Sequence, residues 1–248
     1  MSTQLDRPIV RLATNRVRIA IASAILKNKV SRCRSTEDLV QVSFNVFASF
    51  PLNLFGWTLR PNQIKEEIIR LLEILAFQKP QNVLEVGTAS GGTLCLFSRF
   101  ADPRALLVSI DLPGGSFGGG YPEWKAGYYK SFASPQQQIH LIRGNSHSAH
   151  TLNIVKALLN GDELDFLFID GDHTYEGVKS DFETYGDLVR NNGLIALHDI
   201  VPGPAASVGG VPEFWNQIKH DFEHTEFVKD WKQNGFGIGV LHVQRAPR

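Results

Sequence analysis

Two cysteines in 248 residues, Cys33 and Cys95, cannot build a disulfide framework, so a reducing, cytoplasmic setting is the default. Cys95 reads as a small core residue. Net charge is lacking too. The 25 basic side chains balance 25 acidic ones, so no polyanionic partner is implied for the whole chain and nucleic acid is not expected as substrate. Long apolar runs are missing. The longest early one, residues 19–26 (IAIASAIL), is too short to span a bilayer, and no signal peptide is expected. Internal repeats are absent, and the glycine-rich stretch 113–120 is the sole low-complexity tract.

Charge is nevertheless unevenly placed. Residues 1–34 carry eight basic side chains against Asp6 alone, which makes this arm +7 and the remainder −7. The arm predicts a basic amphipathic helix centred on residues 17–26. Such a helix could touch an anionic membrane surface or build a homo-oligomer, and a frayed, solvated arm is the plainer alternative. Residues 44–57 (FNVFASFPLNLFGW) are aromatic and interrupted by Pro51; they read as an irregular cap over a small-molecule pocket, or as core. Residues 1–60 thus form an N-terminal extension, and 61–248 the main domain.

From Pro61 the pattern turns regular. Ile64, Ile68, Leu71, Leu72 and Leu75 recur at helical spacing until Pro80. Apolar runs at 82–86, 106–111, 139–143, 165–170 and 194–200 then alternate with helical segments near 91–102, 124–133, 147–160 and 174–190. A helix near 211–222 follows. Strands at 226–231 and 236–243 are joined through Asn234-Gly235, a hairpin signal. The expectation is an α/β, Rossmann-like, seven-stranded, mostly parallel sheet. It has helices on both faces, a C-terminal antiparallel hairpin and an N-terminal helical extension.

The most informative segment is 82–93, NVLEVGTASGGT, followed one strand later by Asp111. A short apolar strand, a loop of small residues, a helix and a second strand ending in an acid together build a nucleoside site. The loop lets a ligand approach the backbone, and the acid takes the ribose hydroxyls. Dinucleotide binding requires G-x-G-x-x-G, but the positions here read Gly87, Ala89, Gly92. The middle glycine, where a pyrophosphate meets backbone, is absent, and Glu85 would repel a phosphate. S-adenosylmethionine (SAM) has no phosphate and carries an ammonium and a sulfonium, so flanking acids suit it. The pattern Glu85-x-Gly87-x-x-x-Gly91 resembles the first motif of class I SAM-dependent methyltransferases. On that resemblance Glu85, Gly87, Thr88, Gly91, Asp111, Asn145 and Asp170 hold the cofactor.

In such sheets ligands gather outside the carboxyl ends of the strands. Those ends carry Glu85, Asp111, Asn145, Asp170 with Asp172 and His173, and His198 with Asp199. Asp172 and Thr174 also suit an N-cap. Residues 168–200, FIDGDHTYEGVKSDFETYGDLVRNNGLIALHDI, resemble the second half of metal-dependent small-molecule O-methyltransferases, the macrolide-sugar and cephalosporin-hydroxylase-like group in particular. The resemblance spans about residues 60–243. It implies a divalent metal on Asp170, His198 and Asp199, with Asp170 and His173 catalytic and His173 as base. A metal on two substrate oxygens would lower the pKa of the attacked hydroxyl. An all-oxygen site suits Mg²⁺, whereas an imidazole at 198 favours a softer ion such as Mn²⁺; otherwise His198 is a base or supporting residue and no metal binds.

The loop 112–129 combines glycines with Phe117, Tyr121, Trp124, Tyr128 and Tyr129, and reads as a lid over the acceptor or adenine. The expected activity is methyl transfer from SAM to a hydroxyl of a small molecule, a sugar or secondary metabolite. The alternatives are an NAD-dependent oxidoreductase and a non-catalytic SAM-binding relative.

Overall fold

Alternation of side chains across one strand sets the layers. In β4 (Leu164–Ile169), Phe166 and Phe168 face one core while Leu167 and Ile169 face the other. The strand is buried on both sides, as a central parallel strand must be. A computed structural model describes residues 6–46, 59–115, 117 and 119–244, with side chains described from residue 15 onward. Most of the 44–57 cap lies outside the described residues.

Around β4 run β1 (Asn82–Val86), β2 (Leu106–Asp111), β3 (Gln138–Arg143), β5 (Val189–His198), β6 (Glu223–Phe227) and β7 (Ile238–His242). Their order is β3-β2-β1-β4-β5-β7-β6. β1 to β5 pair in parallel, and β7 pairs antiparallel with both β5 and β6. This is the expected seven-stranded sheet. The order reverses at β1 and β4, so a crevice opens above their carboxyl ends.

One face is covered by α1 (Asp6–Val30), α2 (Thr36–Asn45), α3 (Lys65–Gln78), α4 (Gly92–Phe100) and α5 (Ala126–Lys130). On that side Phe97 meets Phe166 and Phe168 edge-on, each at 5.2 Å. The other face is covered by α6 (Ala149–Leu159), α7 (Tyr175–Gly186) and α9 (Val211–Ile218), with the short α8 (Ala205–Val208) before α9. The arm is helical, as expected. Ala22 and Leu26 of α1 are buried in the first core, while Val17 and Ile21 stay exposed. Among the described residues no helix is long and apolar enough to cross a membrane.

Several boundaries differ from the sequence expectation, among them the two that follow. The helix expected to run to 190 ends at Gly186, because Val189 is captured by Leu164 as the first residue of β5. The hairpin strand expected at 226–231 lies at Glu223–Phe227, and residues 228–237 leave the sheet as a turn held by α3.

Candidate active site

The loop after β1 is shaped by contacts that exclude side chains. A Cβ on Gly87, at φ +99°, would sit 2.0 Å from the Asp170 carbonyl oxygen. One on Gly92 would sit 2.3 Å from the Leu59 carbonyl oxygen. Ala89 adopts φ 42°, and its N–H donates to Asp111 Oδ2 at 2.6 Å. Asp111 Oδ1 accepts from Gly120 N–H at 2.5 Å, so this one carboxylate ties the loop to the far end of the 112–120 segment. Burial raises the Asp111 pKa, against the backbone donors that pull it down.

A cavity of about 340 Å³ lies above the strand ends. Gly87 and Ala89 line it at β1, Asp111 at β2, Asn145 and His147 at β3, and Asp170 at β4. Phe117 lines it from the 112–120 segment and stacks on His173, with ring centroids 4.9 Å apart. Asn145 accepts from the His147 backbone N–H at 2.9 Å. Thr174 Oγ1 caps α7 by accepting from Gly177 N–H, and Asp172 sits one step outside, accepting from Thr174 N–H.

Not every residue expected to hold a cofactor faces this cavity. Gly91 caps α4 beneath the Tyr129 ring, where a Cβ would lie 2.8 Å away. Thr88 is buried, 2.5 Å from Ser109 Oγ. Glu85 is fully buried behind the loop, where the Thr93 and Ser109 hydroxyls donate to its two oxygens at 2.5 Å each. Burial pushes its carboxyl up to about 8, although those hydroxyls oppose the rise. The raised value favours the protonated form near neutral pH, and the carboxyl does not line the cavity. Linkage turns this into a stability effect. Between about pH 4.5 and 8 the unfolded chain has lost this proton and the folded chain keeps it. This group's stabilising contribution is complete below that window and drains away as pH rises through it, at up to about 1.4 kcal/mol per pH unit. Glu85→Gln is expected to flatten that decline, as read by urea denaturation across the window; a slope unchanged from wild type would contradict the assignment.

Beyond β4 and β5 four ionisable residues meet. Asp170 Oδ1 lies 3.0 Å from His198 Nδ1 and 3.4 Å from His173 Nε2. Asp199 Oδ2 lies 3.3 Å from His173 Nδ1, and its Oδ1 lies 3.4 Å from His198 Nδ1. His173 Nδ1 also donates to the Ser207 carbonyl, which α8 brings alongside. Burial opposes a charged His173, but Asp170, Ser207 and Asp199 outweigh it and raise its pKa to about 9. For Asp170 the two imidazoles overcome burial and hold its carboxyl far below the usual range. Burial raises Asp199.

The ligand atoms that converge, all within 4.8 Å of one another, belong to Asp170, His173 and Asp199. His173, expected as base, thus joins this set. His198, expected as a ligand, stands behind it as a hydrogen-bond partner of Asp170, and its Nε2 is buried without a partner. Two oxygens and one imidazole nitrogen are a donor set that fits a divalent ion of the Mn²⁺ type. Sequence reasoning missed Gln63. Its Nε2 donates to Asp170 Oδ2 at 2.8 Å. It precedes the helical pattern, and nothing in local periodicity marks it.

Residues 84–200 match the family described as "Methyltransferase domain", a little under half of the chain. The fold is the class I methyltransferase fold. Two solved structures share it: the O-methyltransferase TomG from Streptomyces achromogenes in complex with SAM, and an O-methyltransferase from Bacillus cereus in complex with S-adenosylhomocysteine (SAH). The first is 16% identical, covers 84% of this chain and 90% of its own, and has a TM-score of 0.55. The second is 17% identical, covers 91% and 100%, and also scores 0.55. An uncharacterised protein of Acanthamoeba polyphaga mimivirus is 31% identical over 150 residues. That match spans 59% of this chain and 62% of the viral one, short of two thirds of the relative. Every strand end of the candidate site, from β1 to Asp199, falls within the matched segment.

Proposed function

We propose that the chain is a SAM-dependent methyltransferase acting on a hydroxyl of a small molecule. The observation that carries this reading is the continuity of one cavity from Asn145, past Asp111 and Gly87, to Asp170, where the titratable cluster begins. Adjacent strands lie about 4.8 Å apart. A nucleoside with its ribose at Asp111 on β2 therefore directs its sulfonium across β1 toward β4. The methyl group would arrive beside Asp170, His173 and Asp199. The SAM and SAH complexes of the two solved relatives support the same cofactor.

Asp170, His173 and Asp199 would hold a divalent cation. When bound, such an ion lowers the pKa of a coordinated hydroxyl. The chain's own residues prepare that site. His198 and Gln63 fix the Asp170 carboxylate from two sides, and Phe117, stacked on His173, shields the cluster from water. In a metal-free version Asp170 and Asp199, which flank the His173 ring and help raise its pKa to about 9, would stabilise its imidazolium, so His173 would take the hydroxyl proton only from its deprotonated fraction and transfer would rise with pH toward that value. Transfer of labelled methyl from SAM to a panel of vicinal diols and sugars, with and without chelator, tests both versions. Chelator-sensitive transfer restored by Mn²⁺ supports the cation, and chelator-insensitive transfer supports His173 as base. Saturable SAH binding with no transfer to any acceptor would favour a non-catalytic SAM-binding role.

A further inference from the structure

A charged residue on the buried face of α3 has no part in the cavity. Glu67 lies in the first turn and is 2% exposed. Its carboxylate takes three hydrogen bonds, all from the turn between β6 and β7. Lys229 N–H donates to Oε1 at 3.0 Å, Gln233 Nε2 to Oε1 at 2.7 Å, and Gly237 N–H to Oε2 at 3.0 Å. That turn is strained. Asn234, Gly235, Phe236 and Gly237 all have positive φ, at 65°, 112°, 62° and 84°, and two of them are not glycine. Strain of this kind persists only where neighbours over-determine the backbone, and Glu67 supplies that determination.

The turn faces Asp199. Phe236 N–H donates to Asp199 Oδ1 at 3.1 Å, and the Phe236 ring lies 6.1 Å from that of His198. Val201 N–H donates to the Phe236 carbonyl at 2.9 Å. Asp199 itself has φ 63°. The geometry points to Glu67 as a positioning residue: through the turn 228–237 it sets the Phe236 N–H that orients the Asp199 carboxylate. This inference deepens the proposed function and rests, for its metal readout, on the cation reading. The charge on Glu67 matters because three donors converge on it, and an amide cannot accept from all three without turning its own N–H₂ toward one of them.

The test compares wild type with Glu67→Gln, and with Glu66→Gln as control. Glu66 pairs with Lys229 Nζ at the exposed surface. Mn²⁺ alone and SAH alone are titrated calorimetrically, and amide exchange at Phe236 is followed in metal-free protein. Glu67→Gln is expected to weaken Mn²⁺ about tenfold, to leave SAH affinity within twofold, and to speed Phe236 exchange at least tenfold while β1 amides are unchanged. Glu66→Gln should change none of these. A folded Glu67→Gln protein with wild-type Phe236 exchange and wild-type Mn²⁺ affinity overturns the proposal. If Glu67→Gln does not fold, Gln233→Ala, which removes one of the three donors, is expected to shift both readouts in the same direction by a smaller factor; no shift overturns it. Wild-type protein that binds SAH but not Mn²⁺ sinks the cation reading alone, and Phe236 exchange then decides the role of Glu67. Wild-type protein that binds no SAH sinks the proposed function instead.

Discussion

Asp170→Asn is expected to cut methyl transfer by on the order of a thousandfold while leaving the chain folded. Asp170 is where the site's elements meet. It directly follows β4, lines the cavity, and accepts from Gln63 at 2.8 Å and His198 at 3.0 Å, with His173 at 3.4 Å. Asparagine keeps the shape but loses the charge. Its N–H₂ must face at least one of these donors, leaving a buried donor unsatisfied at a cost of about 1–3 kcal/mol. The two imidazoles lose the anion that favours their charged forms. The cation reading adds that Mn²⁺ affinity falls together with turnover, whereas SAH, held mainly at β1 to β3, loses little. Turnover within tenfold of wild type, measured on any acceptor the native protein accepts, would remove Asp170 from the chemistry.

Gly87→Ala is expected to abolish SAH binding and to destabilise the fold by more than about 3 kcal/mol, by overpacking and forbidden backbone together. Two effects coincide at this position. The residue sits at φ +99°, and a Cβ would lie 2.0 Å from a backbone carbonyl oxygen of Asp170, which cannot swing aside. Gly161 separates the two effects. It has φ +95°, and a Cβ there would meet nothing within 4 Å. Gly161→Ala therefore isolates the left-handed strain, at about 1–2 kcal/mol, and should leave SAH affinity unchanged. Equal losses from the two substitutions, in denaturant midpoint and in SAH titration, would mean that the close approach of β1 to β4 is not what makes Gly87 necessary.

Much of this architecture can be read along the chain, because parallel strands buried on both faces must be apolar runs and the segments between them must be amphipathic. Glu85-x-Gly87, Asp111, Asp170 and the His198-Asp199 pair all stand at strand ends, so one rule places them on the same edge of the sheet. What that rule does not give is the direction of each side chain. Glu85 points down among hydroxyls and His198 points behind Asp170, because successive residues of a strand alternate faces and the last residue is free to bend. The β6–β7 turn departs from its expected bounds for a different reason. Asn234-Gly235 does adopt the left-handed conformations of a tight turn, but Glu67, 162 positions from Lys229, pulls the flanking residues off the sheet. A carboxylate on the apolar face of α3, between Ile64 and Leu71, is the local sign of that long-range contact. Gln63 offers no such sign.

Cofactor binding at the β1–β2 edge is decided by calorimetric titration of SAH. The titration is made into metal-stripped protein, then with Mg²⁺ and with Mn²⁺, and repeated with Asp111→Ala. Saturable one-to-one binding is expected in every condition, with at least a tenfold loss in Asp111→Ala, about 1.4 kcal/mol. No saturable binding of SAH or SAM, with NAD quenching protein fluorescence instead, would contradict it.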